Sequence, residues 1–186
     1  MAIKSILFNT EMVLAIMDGR KSCTRRMVKP QPDEKHTYPL GFVTDSTEKK
    51  EVGCFGFGIN EYGVSIQYAK PQYQPGDILY VRETWERFEC WNCEGDERGN
   101  CSKEPKKSVL DKTCGCYMYR ATDEISGDAK WHPSIHMPKE AARIWLKVTN
   151  VRVERLQEIT EAQTEEEGFL FTPPCSYIGR AKIIVI

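Results

Sequence analysis

The densest set of chemically useful side chains in this sequence is a run of cations near the N-terminus. Between Asp18 and Asp33 the chain carries five lysines and arginines and no acidic residue. Such a cluster attracts anions even on a protein of balanced charge. Two cations could simply complement the negative end of a helix closing at Gly19, which leaves three unexplained. The basic cluster comprises Arg20, Lys21, Arg25, Arg26 and Lys29.

A second group of reactive side chains consists of cysteines. Five of the 8 cysteines crowd into one polar, highly charged stretch. Zinc is bound by four thiolates or imidazoles in a tetrahedron, and a C-x2-C pair with a second close pair can supply them. In a reducing compartment the clustering favours metal over disulfides, with idle thiols or a redox loop as alternatives. We therefore predict a structural zinc ion held by Cys90, Cys93, Cys114 and Cys116, with Cys101 as a substitute for one of them.

Acidic residues are concentrated further along the chain. Six glutamates and one arginine lie between residues 154 and 167. A carboxylate in the last turn of a helix faces the negative end of the helix dipole, which costs about 0.3–1 kcal/mol unless a cation lies beside it. Glu167 has this position in a predicted helix. It is a candidate site residue, with a solvated acidic face as the alternative interpretation.

Composition limits the classes of protein to which the chain can belong. Its 186 residues include 26 Lys+Arg and 27 Asp+Glu, so the formal net charge is -1. This balance argues against coating nucleic acid by bulk electrostatics, and the composition excludes collagen-like, coiled-coil and wholly disordered chains. No targeting segment or membrane-spanning apolar stretch is visible. We expect a single domain over residues 1–186 in the cytoplasm.

The elements that must position these residues can be predicted from apolar spacing and capping residues. A strand over KSILFN precedes a helix that Asn9 or Thr10 caps and Gly19 ends. A second helix begins at Thr160, whose spacing to Gln163 is that of a capping box, and ends at Gly168.

Between these helices the pattern is mainly that of β-structure. We predict a surface loop over residues 30–50, then a hairpin, so that residues of about 30–70 form an insertion. A buried strand covers residues 78–82, and the Cys-rich insertion covers about 86–116. The strand WLKVTNVRVERL is expected to bend near Thr149 and Asn150 because its apolar alternation changes register there.

The order of several motifs resembles one known family. The run Gly19-Arg20-Lys21-Ser22-Cys23-Thr24-Arg25-Arg26 is similar to the G-x-K-x-x-T-x-R signature of the ASCH domain family, which has small PUA-like β-barrels. The resemblance implies an α+β fold, a PUA-like β-barrel with flanking short helices, in a bacteriophage or prophage protein. Further matching segments are PGDILYVRETW at residues 75–85, WHPSIHMP at 131–138, VRVERL at 151–156 and EEG at 166–168.

The resemblance also implies a function. PUA-like folds bind RNA or modified nucleotides, so the expected partner is RNA or a modified nucleoside in a cleft beside Arg20, Arg25 and Arg26. At the barrel mouth a base would stack on Trp85 and hydrogen-bond to Glu83, whose alternative role is an ion pair with Arg82 or a barrel-end arginine.

An enzymatic alternative comes from a bacterial acetylcytidine amidohydrolase of the same family. Its Lys, Thr and Glu match Lys21, Thr24 and Glu167. A threonine hydroxyl needs a base to attack an amide, and a lysine can act as one if burial and nearby cations lower its pKa.

After Gly168 the resemblance ends. ASCH-like phage proteins continue through a helical stretch and a tryptophan-containing strand that completes the barrel. Here residues 182–186 could provide a short substitute strand. The remaining alternative is a truncated prophage accessory protein that has lost its activity.

Overall fold

The computed structural model describes residues 1–89, 106–107, 114–124, 130–168 and 182–185. These residues form a mixed α+β structure in which strands predominate. None of the described helices is long and apolar enough to cross a membrane. In chain order the elements are β1 (Ile3–Leu7), α1 (Thr10–Met17), β2 (Arg25–Met27), β3 (Tyr38–Phe42), β4 (Phe55–Gly58), β5 (Ile66–Ala69), β6 (Ile78–Arg82), β7 (Trp85–Glu89), β8 (Lys106–Lys107), β9 (Cys114–Tyr119), β10 (Trp145–Lys147), β11 (Arg152–Arg155), α2 (Glu161–Glu166) and β12 (Lys182–Val185).

The strands form four three-stranded sheets, and in the described part of the chain none of these sheets closes into a barrel. Their orders are β1-β6-β10, β11-β12-β2, β3-β4-β5 and β7-β9-β8. β1 runs parallel to β6, with Ile3 opposite Ile78. The pairs within the other three sheets are antiparallel.

Contacts divide the chain into two compact units. The first unit comprises Met1–Ala2, Gly19–Asp77 and Lys147–Ile186, and the second comprises Ile3–Asp18 and Ile78–Leu146. Each unit has its own buried residues. Those of the first include Val28, Phe55, Phe57, Tyr73 and Val148, and those of the second include Ile6, Val13, Leu79, Val81 and Met137.

Both predicted helices have the predicted ends. The side chain of Asn9 accepts a hydrogen bond from the N–H of Met12 at 2.8 Å and caps α1. At α2 the Thr160 hydroxyl and the Gln163 side chain form a reciprocal capping box. Gly168 follows α2 with φ 88°, a conformation that glycine adopts without strain.

The predicted hairpin is confirmed, because β4 and β5 pair antiparallel with Phe55 opposite Ala69. The loop predicted over residues 30–50 is wrong in part, since β3 lies within it. Pro39 lies within β3 and is tolerated because β3 is an edge strand, whose one neighbour among the described strands is β4. The register shifts between Pro39 and Gly41.

The last described strand, β12, pairs with one strand from the basic cluster and with one strand from the acidic segment. β12 lies between β2 and β11, with Val185 opposite both Arg25 and Arg152. The expected strand at the end of the sequence is therefore present. The segment WLKVTNVRVERL, for which a bulge or bend is predicted, is interrupted between β10 and β11 at residues 148–151.

Candidate functional site

The basic cluster meets the end of α2 within the first unit. Lys21 and Glu167 form an isolated antiparallel bridge. The backbone N–H groups of Ser22 and Cys23 donate to the carbonyl of Glu166, at 2.8 and 3.1 Å. Both bonds go to one carbonyl at the C-terminal end of α2, where carbonyls lack partners within the helix. Residues 146 positions apart in sequence are thus held side by side.

Lys21 is buried at the centre of this arrangement, with 8% of its surface exposed. Its Nζ donates to the backbone carbonyls of Cys23, at 2.7 Å, and Glu167, at 2.8 Å. Burial, aided by the charges of Arg26 and Arg25, lowers the pKa of Lys21 below its ordinary value, although the Glu167 carboxylate acts in the opposite direction. The pKa of Lys21 is therefore shifted downward, which is the direction that a lysine base requires.

The carboxylate of Glu167 lies beside the guanidinium of Arg25. Nη1 of Arg25 lies 3.2 Å from Oε1 of Glu167, and Nη2 lies 3.7 Å from Oε2 of Glu154. Nη1 also donates to the carbonyl of Gln163 at 3.2 Å. The Arg25 side chain is only 6% exposed. A cation beside the helix end thus offsets the unfavourable dipole interaction that the sequence predicts for Glu167.

Thr24 lies in the same cluster and is buried, with 6% of its surface exposed. Its hydroxyl oxygen accepts a hydrogen bond from Nη1 of Arg26 at 3.2 Å, and the same nitrogen donates to the carbonyl of Arg25 at 2.9 Å. Arg20, which is exposed, donates to the carbonyl of Gly168 at 3.0 Å. The structure therefore brings together Lys21, Thr24, Glu167, Arg20, Arg25 and Arg26, which we call the Lys21 cluster.

This geometry has two chemical consequences. A neutral amine has two N–H donors, and the carbonyls of Cys23 and Glu167 are sufficient to accept both. The guanidinium of Arg26 beside the Thr24 oxygen favours the alkoxide over the hydroxyl by charge attraction. The buried guanidinium of Arg25 lies between two carboxylates, those of Glu154 and Glu167.

Glu83 lies in the second unit and is 1% exposed. Both of its carboxylate oxygens accept hydrogen bonds from Arg143, each at 2.8 Å. The ion-pair alternative is therefore what the structure shows, with Arg143 as the partner; Arg82 instead donates to the carbonyl of Met137 at 3.0 Å. The Arg143 guanidinium also lies over the Tyr119 ring, 4.0 Å from its centroid.

Trp85, at the start of β7 in the second unit, is packed among aromatic rings. Its centroid lies 5.7 Å from that of Tyr117 and 5.1 Å from that of His132. Within the described residues its buried Nε1 has no hydrogen-bond partner. The ring is half-buried and packs against the core cluster of this unit.

The predicted zinc ligands are covered only in part by the described residues. Cys90, Cys93 and Cys101 lie outside them. Cys114 belongs to β9, and Cys116 on the same strand is buried. The described residues contain no group of three side chains able to hold a metal ion. The zinc site stays a prediction.

Two partners in these networks were missed from the sequence. Glu154 is one of six clustered glutamates, and only the pairing of β12 with β2 and β11 brings its strand near Arg25. Arg143 lies 60 positions from Glu83 and has no motif that marks it.

The chain matches no protein-family model, and no similar curated protein or solved structure is found.

Proposed function

We propose that the protein is an ASCH-like protein of PUA-like fold whose Lys21 cluster hydrolyses the amide of an N-acylated cytidine. The observation that supports this most is the buried Lys21, whose pKa is lowered, in one cluster with the buried Thr24. The similarity of residues 19–26 to the family signature provides the substrate class. Burial of both side chains also places them in a low-dielectric environment, in which their pKa values can be shifted toward those that proton transfer needs.

In the proposed reaction the Thr24 oxygen attacks the acyl carbonyl while Lys21 takes the hydroxyl proton. The carbon–nitrogen bond then breaks, and Lys21 returns the proton to the departing cytosine amine. Water hydrolyses the acyl group from Thr24, giving a carboxylic acid and restoring the hydroxyl. Glu167 acts by position: its carbonyl holds Nζ of Lys21, and its carboxylate anchors Arg25.

The charge arrangement favours a small, uncharged substrate over a long polyanion. The side chains of Lys21 and Arg25 are buried and already have partners, so neither is presented to a phosphate backbone. This is the reason for ranking hydrolysis of a nucleoside above retention of RNA.

Recognition of RNA or a modified nucleoside without chemistry is the second candidate. It is favoured by Arg20, which is exposed, and by Arg26, which is half-buried. These two cations could reach phosphates at the rim of the cluster. In the second unit, Trp85 stays the predicted base-stacking residue, whereas both oxygens of its predicted partner Glu83 bind Arg143. Binding of this kind weakens as salt rises, because each phosphate contact releases counterions.

The test compares wild type with Lys21→Ala, Thr24→Ala and Lys29→Ala on N-acetylcytidine, with release of acetate as the readout. Loss of the base or the nucleophile should lower the rate by about 10²–10⁴-fold. Lys29 is exposed and belongs to the same basic run, so Lys29→Ala is the matched control and should keep the wild-type rate. Equal rates for Lys21→Ala and wild type would refute the mechanism.

Short RNAs screened in parallel separate the remaining candidates. Retention that falls steeply with salt, without turnover, would favour binding alone. If folded protein shows neither turnover nor retention, the protein is an inactive accessory remnant.

We also propose a structural zinc ion in the Cys-rich insertion, supported by the cysteine spacing. Elemental analysis of protein purified without added metal should find about one zinc per chain. Less than about half an equivalent would count against a closed site.

A further inference from the structure

A second arrangement with the geometry of a nucleophilic site lies elsewhere in the first unit. Oγ of Ser65 lies 2.9 Å from Nε2 of His36, and Nδ1 of His36 lies 2.7 Å from Oδ1 of Asp33. A nucleophile, a base and a carboxylate that orients the base are thus joined one to the next. These three side chains share no residue with the Lys21 cluster.

The Asp33 carboxylate determines which way the histidine hydrogen bonds run. Oδ1 also accepts the backbone N–H groups of Lys35, at 2.9 Å, and His36, at 2.8 Å. These bonds from His36 and Lys35 lower the pKa of Asp33, so it stays ionised at neutral pH. An ionised carboxylate can only accept, so Nδ1 of His36 donates to it. In the neutral ring Nε2 then carries the lone pair that accepts the Ser65 hydroxyl proton.

The sheet β3-β4-β5 holds the three residues in place. Ser65 directly precedes β5, and Gln67 lies two positions further, within β5. Oε1 of Gln67 accepts the backbone N–H of Asp33 at 3.0 Å. Residues in and next to β5 therefore hold the three side chains from two sides: Ser65 contacts His36, and Gln67 contacts Asp33.

The three side chains differ in how much of their surface is exposed to solvent. The His36 side chain is 15% exposed, whereas that of Asp33 is 56% exposed. Ser65 is half-buried. A shielded imidazole next to a partly exposed serine suits a base that works on substrates arriving from solvent. Because Ser65 is half-buried and His36 is shielded, small and unhindered substrates are favoured.

We propose that Ser65, His36 and Asp33 form a catalytic set that hydrolyses small carboxylic esters. Oγ of Ser65 attacks the ester carbonyl as its proton passes to Nε2 of His36. The bond to the leaving alkoxide breaks, and His36 protonates it to give the alcohol. Water, deprotonated by His36, then releases the acid from Ser65, and the hydroxyl recovers its proton. Asp33 is the positioning residue.

The experiment exposes the full-length protein to a fluorophosphonate probe and maps the labelled peptides. The Ser65 oxygen should displace fluoride from phosphorus and carry the label. Ser46 is the matched control, because its hydroxyl donates to the Glu51 carboxylate at 2.9 Å rather than to an imidazole. We expect Ser65 to be labelled at least tenfold faster than Ser46, and hydrolysis of p-nitrophenyl acetate to be lost in Ser65→Ala and kept in Ser46→Ala.

Two further variants separate catalysis from structure. His36→Gln keeps a hydrogen-bonding side chain but removes the base, so labelling of Ser65 should fall by about 10²-fold or more. Asp33→Asn should lower labelling and abolish the low-field NMR signal of the proton on Nδ1 of His36. Equal labelling of Ser65 and Ser46 in wild type overturns the proposal even if a variant fails to fold. Undiminished labelling in folded His36→Gln also overturns it.

Discussion

The two units bury charge in opposite ways. In the second unit Glu83 is almost fully buried, and Arg143 satisfies both of its oxygens at 2.8 Å. In the first unit Lys21 is buried as well, but its Nζ donates to two neutral carbonyls, those of Cys23 and Glu167. A buried bidentate pair stabilises both charged forms, whereas a neutral carbonyl offers a lysine ammonium only a partial charge.

This difference indicates which buried charge is available for chemistry. Removing Arg143 would leave the buried carboxylate of Glu83 without its cation, so the pair is expected to be structural. The lowered pKa of Lys21 instead means that its neutral form is more accessible than in an ordinary lysine. Four sets of variants test this contrast between the units, and their expected effects decrease from Glu83→Ala to Thr160→Ala.

Glu83→Ala should cause the largest loss of stability. It leaves Arg143 without its carboxylate, and breaking a buried pair costs about 3–5 kcal/mol. The free energy of unfolding from urea titration measures this. Glu124→Ala in the same unit is the control, because Glu124 is exposed, and should change little. A loss below about 1 kcal/mol would show that the pair is not the structural charge we infer.

Lys21→Met should change the pH dependence of stability. Because the pKa of folded Lys21 lies below its ordinary value of 10.5, the unfolded chain binds more protons between those two values. Wild-type stability should therefore rise with pH in this window, by at most about 1.4 kcal/mol per pH unit, and Lys21→Met should lack that rise. Unfolding titrations from pH 7 to 10 test this, with Lys29→Met as the exposed control. Parallel curves for wild type and Lys21→Met would contradict it.

Tyr119→Phe tests how a buried tyrosine in the second unit affects stability at alkaline pH. Burial is the main cause that raises the pKa of Tyr119 from 10.0 to about 12. Between those values the folded chain holds the proton more firmly, so wild-type stability falls as pH rises, and the variant should lack this contribution. The variant also leaves the carbonyl of Ala141, bonded at 2.6 Å, without this donor, costing about 1–2 kcal/mol. Tyr62→Phe, at an exposed position, should change neither the stability nor its pH dependence. If the stability of Tyr119→Phe falls with pH as steeply as that of wild type, Tyr119 is not the source of the fall.

The sequence is informative where the physical signal is local. The capping box of Thr160 and Gln163 and the turn at Gly168 depend on neighbours within a few positions, and the structure confirms them. The proximity of Lys21 and Glu167 was expected only through a family resemblance. That Arg25 pairs with the Glu167 carboxylate depends on rotamers and on strand pairing across β12, which no local pattern encodes.

Long-range pairs were the hardest to predict. Nothing near Glu83 marks Arg143, and nothing near Ser65 marks His36, 29 positions away. His36 also falls in a segment whose prolines indicate a loop, although an edge strand forms there. The β-sheet register that joins such residues is determined by tertiary packing, which sequence periodicity reports only as alternating faces.

Thr160→Ala should have the smallest effect, and it tests whether α2 maintains the environment of Lys21. Loss of this N-cap costs about 1 kcal/mol, and Glu165→Gln on the exposed face of the same helix is the matched control. Because Lys21 bonds to the carbonyl that follows α2, fraying of this six-residue helix would let water reach Nζ. The pKa of Lys21 should then move back toward its ordinary value, and the rise of stability between pH 7 and 10 should become shallower than in wild type. A stability loss of the expected size with an unchanged pH slope would mean that burial of Lys21 is maintained without α2, and the contrast between the two units would then depend on β2 and its neighbours alone.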